Sequence, residues 1–190
     1  LSPAYGNTYK QIIDDGFNID RKIECLISSD TSVGITKSVG LAIISFADAY
    51  EELNPDIVLI AGDRFELLAA VQAALFSKIP VAHIAGGDST EGAFDESIRH
   101  SITKMSHIHF VTNKTAYRRV CQLGENPAYV FNFGSPTIDY LKDTVFIKKE
   151  LLESKLNFKF LKKNLLVTYH PVTLETLSNE FQIKEVIISL

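Results

Sequence analysis

The 190-residue sequence predicts an α/β fold, a Rossmann-like doubly wound parallel sheet, and two features predict it. Four short apolar runs rich in Val, Ile or Phe stand out, "DIVLIAG" (56–62), "IPVAHIAGG" (79–87), "HIHFVT" (107–112) and "AYVFNFGSP" (128–136). Continuous runs of this length suit strands buried on both faces. Helical patterns separate them, so strand and helix alternate from about residue 36.

The first helix, "TKSVGLAIISFADAYEELNP" (36–55), is stopped by Pro55, and the first strand follows it. "RFELLAAVQAALFSK" (64–78), rich in Ala and Leu, is the helix between the first and second strands. A third helix starts near Asp95 after a glycine-containing loop, and a fourth, "NKTAYRRVCQLGE" (113–125), ends with Gly124 at its C-cap. From residue 146 the texture changes to "FIKKELLESKLNFKFLKKN", after which "LLVTYHP" (165–171) reads as one more strand. The expected organisation is an N-terminal Rossmann-like domain over 1–143, a linker with a helix over 144–164, and the beginning of a second Rossmann-like domain over 165–190. The chain lacks a starting methionine and stops in the middle of an element, so it is expected to be part of a longer protein.

A hydrophobic share of 46% with 12 Phe and 7 Tyr is enough to form a core. The net charge of -4, with Lys and Arg scattered, provides no basic stripe for a phosphate backbone, so nucleic acid is not an expected partner. Cys25 and Cys121 are far apart and outside any CxxC, and are read as reduced thiols. No apolar run approaches the ~20 residues of a membrane span, and the expected location is the cytoplasm. GxGxxG and GxxxxGK[ST] fingerprints are absent, and no cofactor is expected.

Parallel α/β sheets bind ligands beyond the carboxyl ends of their strands. There, in "AGDRFE", Asp63 is either the N-cap of the next helix or an acid/base carboxylate, and Arg64 is a candidate anion contact. In "HIAGGDSTEGAFDESIRHSITK" (83–104) Gly86 and Gly87 permit a sharp turn, and Asp88 continues the loop. At ~100° per residue, Ile98, Ile102 and Met105 line one side of the following helix, with Asp95, Glu96, Arg99, His100 and Thr103 on the other. The plain alternative is a solvated face with pairs Asp95–Arg99 and Glu96–His100, worth about 0.2–0.5 kcal/mol each. His170 closes the last strand against Pro171, and Ser135 in "FGSPTID" is either an anion or sugar contact or a plain turn residue. His107 and His109 form an H-x-H with no third ligand nearby, so no metal is assigned.

Together "GDRFE", "HIAGGDSTEGAFDESIRHSITKMSHIHF", "LGE", "FGSPTID" and "HPVT" resemble the hydrolysing UDP-N-acetylglucosamine 2-epimerases of sialic acid biosynthesis, over nearly the whole chain. The resemblance implies two Rossmann-like halves of the glycosyltransferase-B type, a nucleotide-sugar substrate and a homodimer. It also implies elimination of UDP across C1 and C2 to 2-acetamidoglucal, followed by addition of water to give N-acetylmannosamine. Carried over by motif, Asp63, Asp95 and His170 are the catalytic candidates, with His170 near the diphosphate. Arg64, Asp88, Glu96, Arg99, His100 and Ser135 are the substrate-contact candidates. Ala85 stands where some members of the family have a carboxylate, and Asp88 where many have Glu. Both departures make UDP-N,N'-diacetylbacillosamine, the substrate of related legionaminic acid enzymes, the rival sugar. These 190 residues alone are expected to be weak or inactive. A sugar transferase on the same scaffold and a non-catalytic nucleotide-sugar binding module are the competing functions.

Overall fold

A computed structural model describes residues 6–29, 31–170 and 178–190, which divide into two compact units, Leu1–Gly134 and Ser135–Leu190. The first unit begins with a short helix, α1 (Tyr9–Asp14), and a long one, α2 (Ser32–Leu53). Thr31 caps α2 by accepting from the Gly34 N–H at 3.1 Å, so the helix starts four residues before the apolar pattern predicts. Asn54 ends it in the left-handed conformation ahead of Pro55.

By length and composition α2 also meets the test for a membrane span, which the run-by-run reading of the sequence missed. The apolar face has a partner within the fold, because Ala42, Ala49 and Tyr50 are buried and Tyr50 Oη donates to the Ala70 carbonyl of the next helix. Alternating strands and helices follow: β1 (Val58–Ala61), α3 (Phe65–Phe76), β2 (Val81–Ile84), α4 (Asp95–Met105), β3 (Ile108–Val111), α5 (Lys114–Gln122) and β4 (Val130–Asn132).

The four strands are parallel and lie in sequence order, confirming the predicted α/β class. Each crossover steps the same way across the sheet, so right-handed connections put α3, α4 and α5 on one face. In register beneath them runs the row Ile60, His83, His109 and Val130, every member buried. Ala69, Ala70, Ala73 and Ala74 line the buried side of α3, and these small side chains let α2 and α3 approach closely. The core is completed by one cluster with Val71, Val81 and Ile102 and a second with Val111, Ala116 and Val120. Burying each of the larger ones contributes about 1.5–3 kcal/mol. On the opposite face Phe110 and Phe131 stack with ring centroids 5.8 Å apart.

Gly124, at φ 93°, turns the chain out of α5 as the sequence predicts, and the Glu125 N–H then bonds the Val120 carbonyl. The second unit contains α6 (Pro136–Asp143), α7 (Lys149–Leu156) and α8 (Asn179–Ile188), the last capped by Ser178. The strand expected at 165–171 is not formed over 165–170, where Leu165 and Leu166 are exposed. A strand is completed by the ladder bonds of a neighbour, and no described segment of this unit pairs with it. Pro171, with the rest of the "HPVT" motif, lies outside the described residues.

Candidate functional site

The carboxyl ends of β1, β2 and β3 are joined by a dense polar network in the first unit. Its centre is Arg99, on the second turn of α4, with only 8% of its side chain exposed. The guanidinium pairs with the Asp63 carboxylate and donates to the Asp88 carbonyl at 2.6 Å and the Thr90 hydroxyl at 2.8 Å. The helical pair Asp95–Arg99 anticipated from spacing is therefore replaced by Asp63–Arg99. The polar side of α4 faces the loop and the sheet edge, and there a nearly buried cation requires a close anion.

Asp63 is not the N-cap of α3. Arg64 holds that position without a side-chain cap, which leaves the Asp63 carboxylate, 24% exposed, for Arg99. Arg64 is 70% exposed and forms a bidentate pair with Glu66, at 3.1 and 3.2 Å.

After β2 the chain passes Ala85 at φ 65°, a left-handed conformation costing roughly 1–2 kcal/mol for a residue with a Cβ. Its N–H bonds the Phe110 carbonyl at 2.9 Å. Gly87 is required next, because a Cβ there would lie 2.6 Å from the Ala116 carbonyl oxygen, and its own carbonyl accepts from Arg119. Two arginines thus hold the consecutive carbonyls of Gly87 and Asp88. The Asp88 carboxylate accepts from Thr112 Oγ1 at 3.1 Å and Asn113 Nδ2 at 3.0 Å, tying the loop to the end of β3.

Glu96 accepts from the Ser89 hydroxyl and the Thr90 N–H, both at 2.6 Å, and these bonds hold its carboxyl below the usual range. The expected Glu96–His100 pair is present at 3.8 Å, and His100 Nδ1 is buried without a partner. Asp95, the first residue of α4, has no hydrogen bond or ion pair among the described residues. Thus Asp63, Asp88, Glu96, Arg99 and His100 belong to one bonded network, and Asp95 opens the helix that carries three of them.

Ser135 and His170 belong to the second unit. Ser135 is the N-cap residue of α6 without a side-chain cap bond, and His170 is exposed in an irregular segment.

Sequence reasoning missed two parts of the network, His83 and Arg119, and the separate polar group around Glu125. His83 Nε2 lies 3.0 Å from the Gly62 carbonyl, and burial pushes its imidazole down to about 4. Alternation along β2, which turns residue 83 towards the helices, is the signal that places it inside. His109 is also pushed down by burial, opposed by Glu125 at 3.4 Å, which in turn accepts from Lys104 at 2.5 Å. His107 is exposed while His109 is buried, and among the described residues no three His, Cys, Asp or Glu side chains are grouped as a metal site.

Chemically, the network presents a carboxylate clamped by a cation, an unpaired carboxylate at a helix start and an imidazole at one sheet edge, a set suited to proton transfer. The sequence model of the UDP-N-acetylglucosamine 2-epimerase family matches residues 1–190. The chain belongs to this family.

Among relatives of this chain, the "GDP/UDP-N,N'-diacetylbacillosamine 2-epimerase (hydrolyzing)" of Campylobacter jejuni is 44% identical over 100% of this chain and 49% of its own. The polysialic acid biosynthesis protein P7 of Escherichia coli is 38% identical, over 98% of this chain and 48% of its own. The chain spans about half the length of the curated relatives it matches. The fold agrees with a Neisseria meningitidis UDP-GlcNAc 2-epimerase solved bound to UDP-GlcNAc. That structure has a TM-score of 0.63 at 22% identity and covers 82% of this chain and 44% of the other. The epimerase from Rickettsia bellii has a TM-score of 0.66 at 23% identity, covering 84% and 42%.

Proposed function

We propose that the protein is a hydrolysing 2-epimerase acting on a UDP-linked 2-acetamido sugar. UDP leaves by elimination across C1 and C2, and water adds to the resulting glycal to give the free 2-epimer. The observation that carries this reading is the contrast between two carboxylates of the first unit. Asp63 is clamped by Arg99, whereas Asp95 has no partner among the described residues. An elimination followed by an addition needs one group to take a proton and another to give one. Asp63 and Asp95 are assigned those two roles, and His170 the departing diphosphate. Arg64, His100 and Ser135 are assigned substrate contacts. Arg99, Asp88 and Glu96 hold the loop that leads into Asp95.

Between the two candidate sugars, sequence similarity favours UDP-N,N'-diacetylbacillosamine. Relatives named for it are 44% and 35% identical, against 32% for the Neisseria meningitidis enzyme named for UDP-N-acetylglucosamine. The methyl group of Ala85, where part of the family has a carboxylate, is a second support for that sugar. A homodimer and a cytoplasmic location belong to the same reading.

Proton NMR of the full-length protein with each UDP-sugar in turn tests it. Release of UDP together with the 2-epimerised free sugar is expected, faster from the diacetylated substrate. Faster turnover of UDP-N-acetylglucosamine would reverse the choice of sugar, and absence of UDP release from both would overturn the function.

A further inference from the structure

His83 sits at the end of none of the strands and touches no solvent, yet it is bonded to the backbone beside Asp63 and to the Thr103 side chain one helical turn after Arg99. Its Nε2 is 3.0 Å from the carbonyl of Gly62, the residue before Asp63. A carbonyl only accepts, so Nε2 carries the proton. In a neutral imidazole Nδ1 is then an acceptor, and the Thr103 hydroxyl at 3.3 Å is its donor. Thr103 stands one helical turn after Arg99 and also reaches the Arg99 carbonyl at 2.9 Å, so its single proton is shared between two acceptors.

A third element meets the same ring. A Cβ on Gly86 would lie 2.9 Å from His83 Nδ1 and 3.0 Å from Thr103 Oγ1, so the loop after β2 is packed directly on this pair. The charged and titratable groups facing the imidazole are Asp63 from the end of β1, Arg99 from α4 and His109 from β3. A Leu or Val would fill the same space in the row Ile60, His83, His109 and Val130, but neither presents a donor to Gly62.

We propose that His83 is a positioning residue of the site: its Nε2–H fixes the Gly62 carbonyl against the Arg99 turn of α4 and so sets where the Asp63 carboxylate is held. The inference rests on the reading of Asp63 as an acid/base group. His83 acts through the Gly62 peptide, and the substrate never meets it.

The test uses the full-length protein. Long-range proton–nitrogen NMR is expected to show His83 as the Nε2–H tautomer at pH 7, and an Nδ1–H tautomer or a charged ring overturns the inference. His83→Leu is expected to move the carbonyl carbon shift of Gly62 and lower kcat roughly 100-fold, the scale of a small misplacement, with KM within about twofold. His83→Gln, which restores an N–H near the Nε2 position, is expected to recover most of kcat. Equal kcat in the Leu variant and the parent, or equal loss in the Leu and Gln variants, overturns it. Should His83→Leu fail to fold, Thr103→Val removes the donor to Nδ1 at constant shape and is expected to lower kcat with KM unchanged. Undiminished kcat there counts against the inference. If Asp63→Asn keeps full turnover, the acid/base reading of Asp63 falls, while the tautomer and the Gly62 shift still decide whether His83 holds that peptide.

Discussion

Replacing Arg99 by Met removes the cation at the centre of the network while keeping much of the side chain's apolar length. Three acceptors then lose their donor: the Asp63 carboxylate, the Asp88 carbonyl and the Thr90 hydroxyl. Breaking a buried pair from one side costs about 3–5 kcal/mol. Asp63 keeps 24% of its side chain exposed and Thr90 is exposed, so water recovers part of the loss and the expected cost is near the lower end, about 3 kcal/mol. Denaturant unfolding of Arg99→Met, Asp63→Asn and the double variant measures it. Coupling of about 0.5–3 kcal/mol between the two sites is expected, because each side chain is the other's principal partner. Arg118→Met, at an exposed position of the neighbouring α5, is the control and is expected to change stability by less than about 0.5 kcal/mol. If Arg99→Met cost no more than Arg118→Met, the view of Arg99 as the bracket of the loop would be wrong.

On the proposed function, Asp95→Asn is expected to lower the turnover of the full-length protein at least tenfold while moving stability by less than about 1 kcal/mol, since the lost charge only faces a helix start. Paired kinetics and thermal melts check this, and undiminished turnover excludes Asp95 from the chemistry. Stability is expected to fall as pH drops from about 6.5 to about 4, because the unfolded chain takes up a proton at His83 that the folded chain refuses. At about 1.4 kcal/mol per pH unit this amounts to about 3 kcal/mol, with His109 acting in the same direction. Urea unfolding at stepped pH should show a shallower slope in His83→Gln, and an identical slope would mean that His83 is already protonated in the fold. Gly87→Ala is expected to cost more than about 1 kcal/mol by thermal unfolding, since its Cβ would meet the Ala116 carbonyl at 2.6 Å and φ is 85°. An unchanged melt would show that the loop relaxes around it.

The alternation of β1 to β4 with α3 to α5 was legible because short runs rich in Val, Ile or Phe alternate with helical patterns, although Leu59 leaves one face of β1 exposed and His83 and His109 interrupt the apolar runs of β2 and β3. Asp63 and the loop after β2 were legible for a related reason: chemistry in such sheets collects where the strands stop. The partner of Arg99 was not. Spacing along α4 shows that Arg99 is near Asp95, but whether a helix side faces water or a loop is decided by the sheet, 36 residues away in sequence at Asp63. The same limit explains the segment 165–170, whose Leu165, Leu166 and Val167 have strand composition and no described neighbour to pair with. In α2, apolar periodicity located the body of the helix, while its start depended on the single hydroxyl of Thr31. His83 illustrates a finer division. Alternation places it inward, and only the position of the Gly62 carbonyl shows which nitrogen carries the proton.

The concentration of charge between residues 83 and 104 has mostly an internal purpose. Buried backbone carbonyls turned away from a ladder need donors, and the loop after β2 gets them from Arg99 and Arg119. Its N–H and hydroxyl groups at Ser89 and Thr90 need acceptors, and Glu96 provides them. Asp88 in turn holds Thr112 and Asn113 at the next strand end. A charged side chain whose partners are all within the protein keeps geometry, and one without a partner is available to a substrate. By that criterion Asp88, Glu96 and Arg99 keep the loop still in the proposed reaction. Asp95 is the carboxylate they hold ready, and Asp63, a quarter exposed at the edge of the clamp, is the group whose position the buried imidazole of His83 controls.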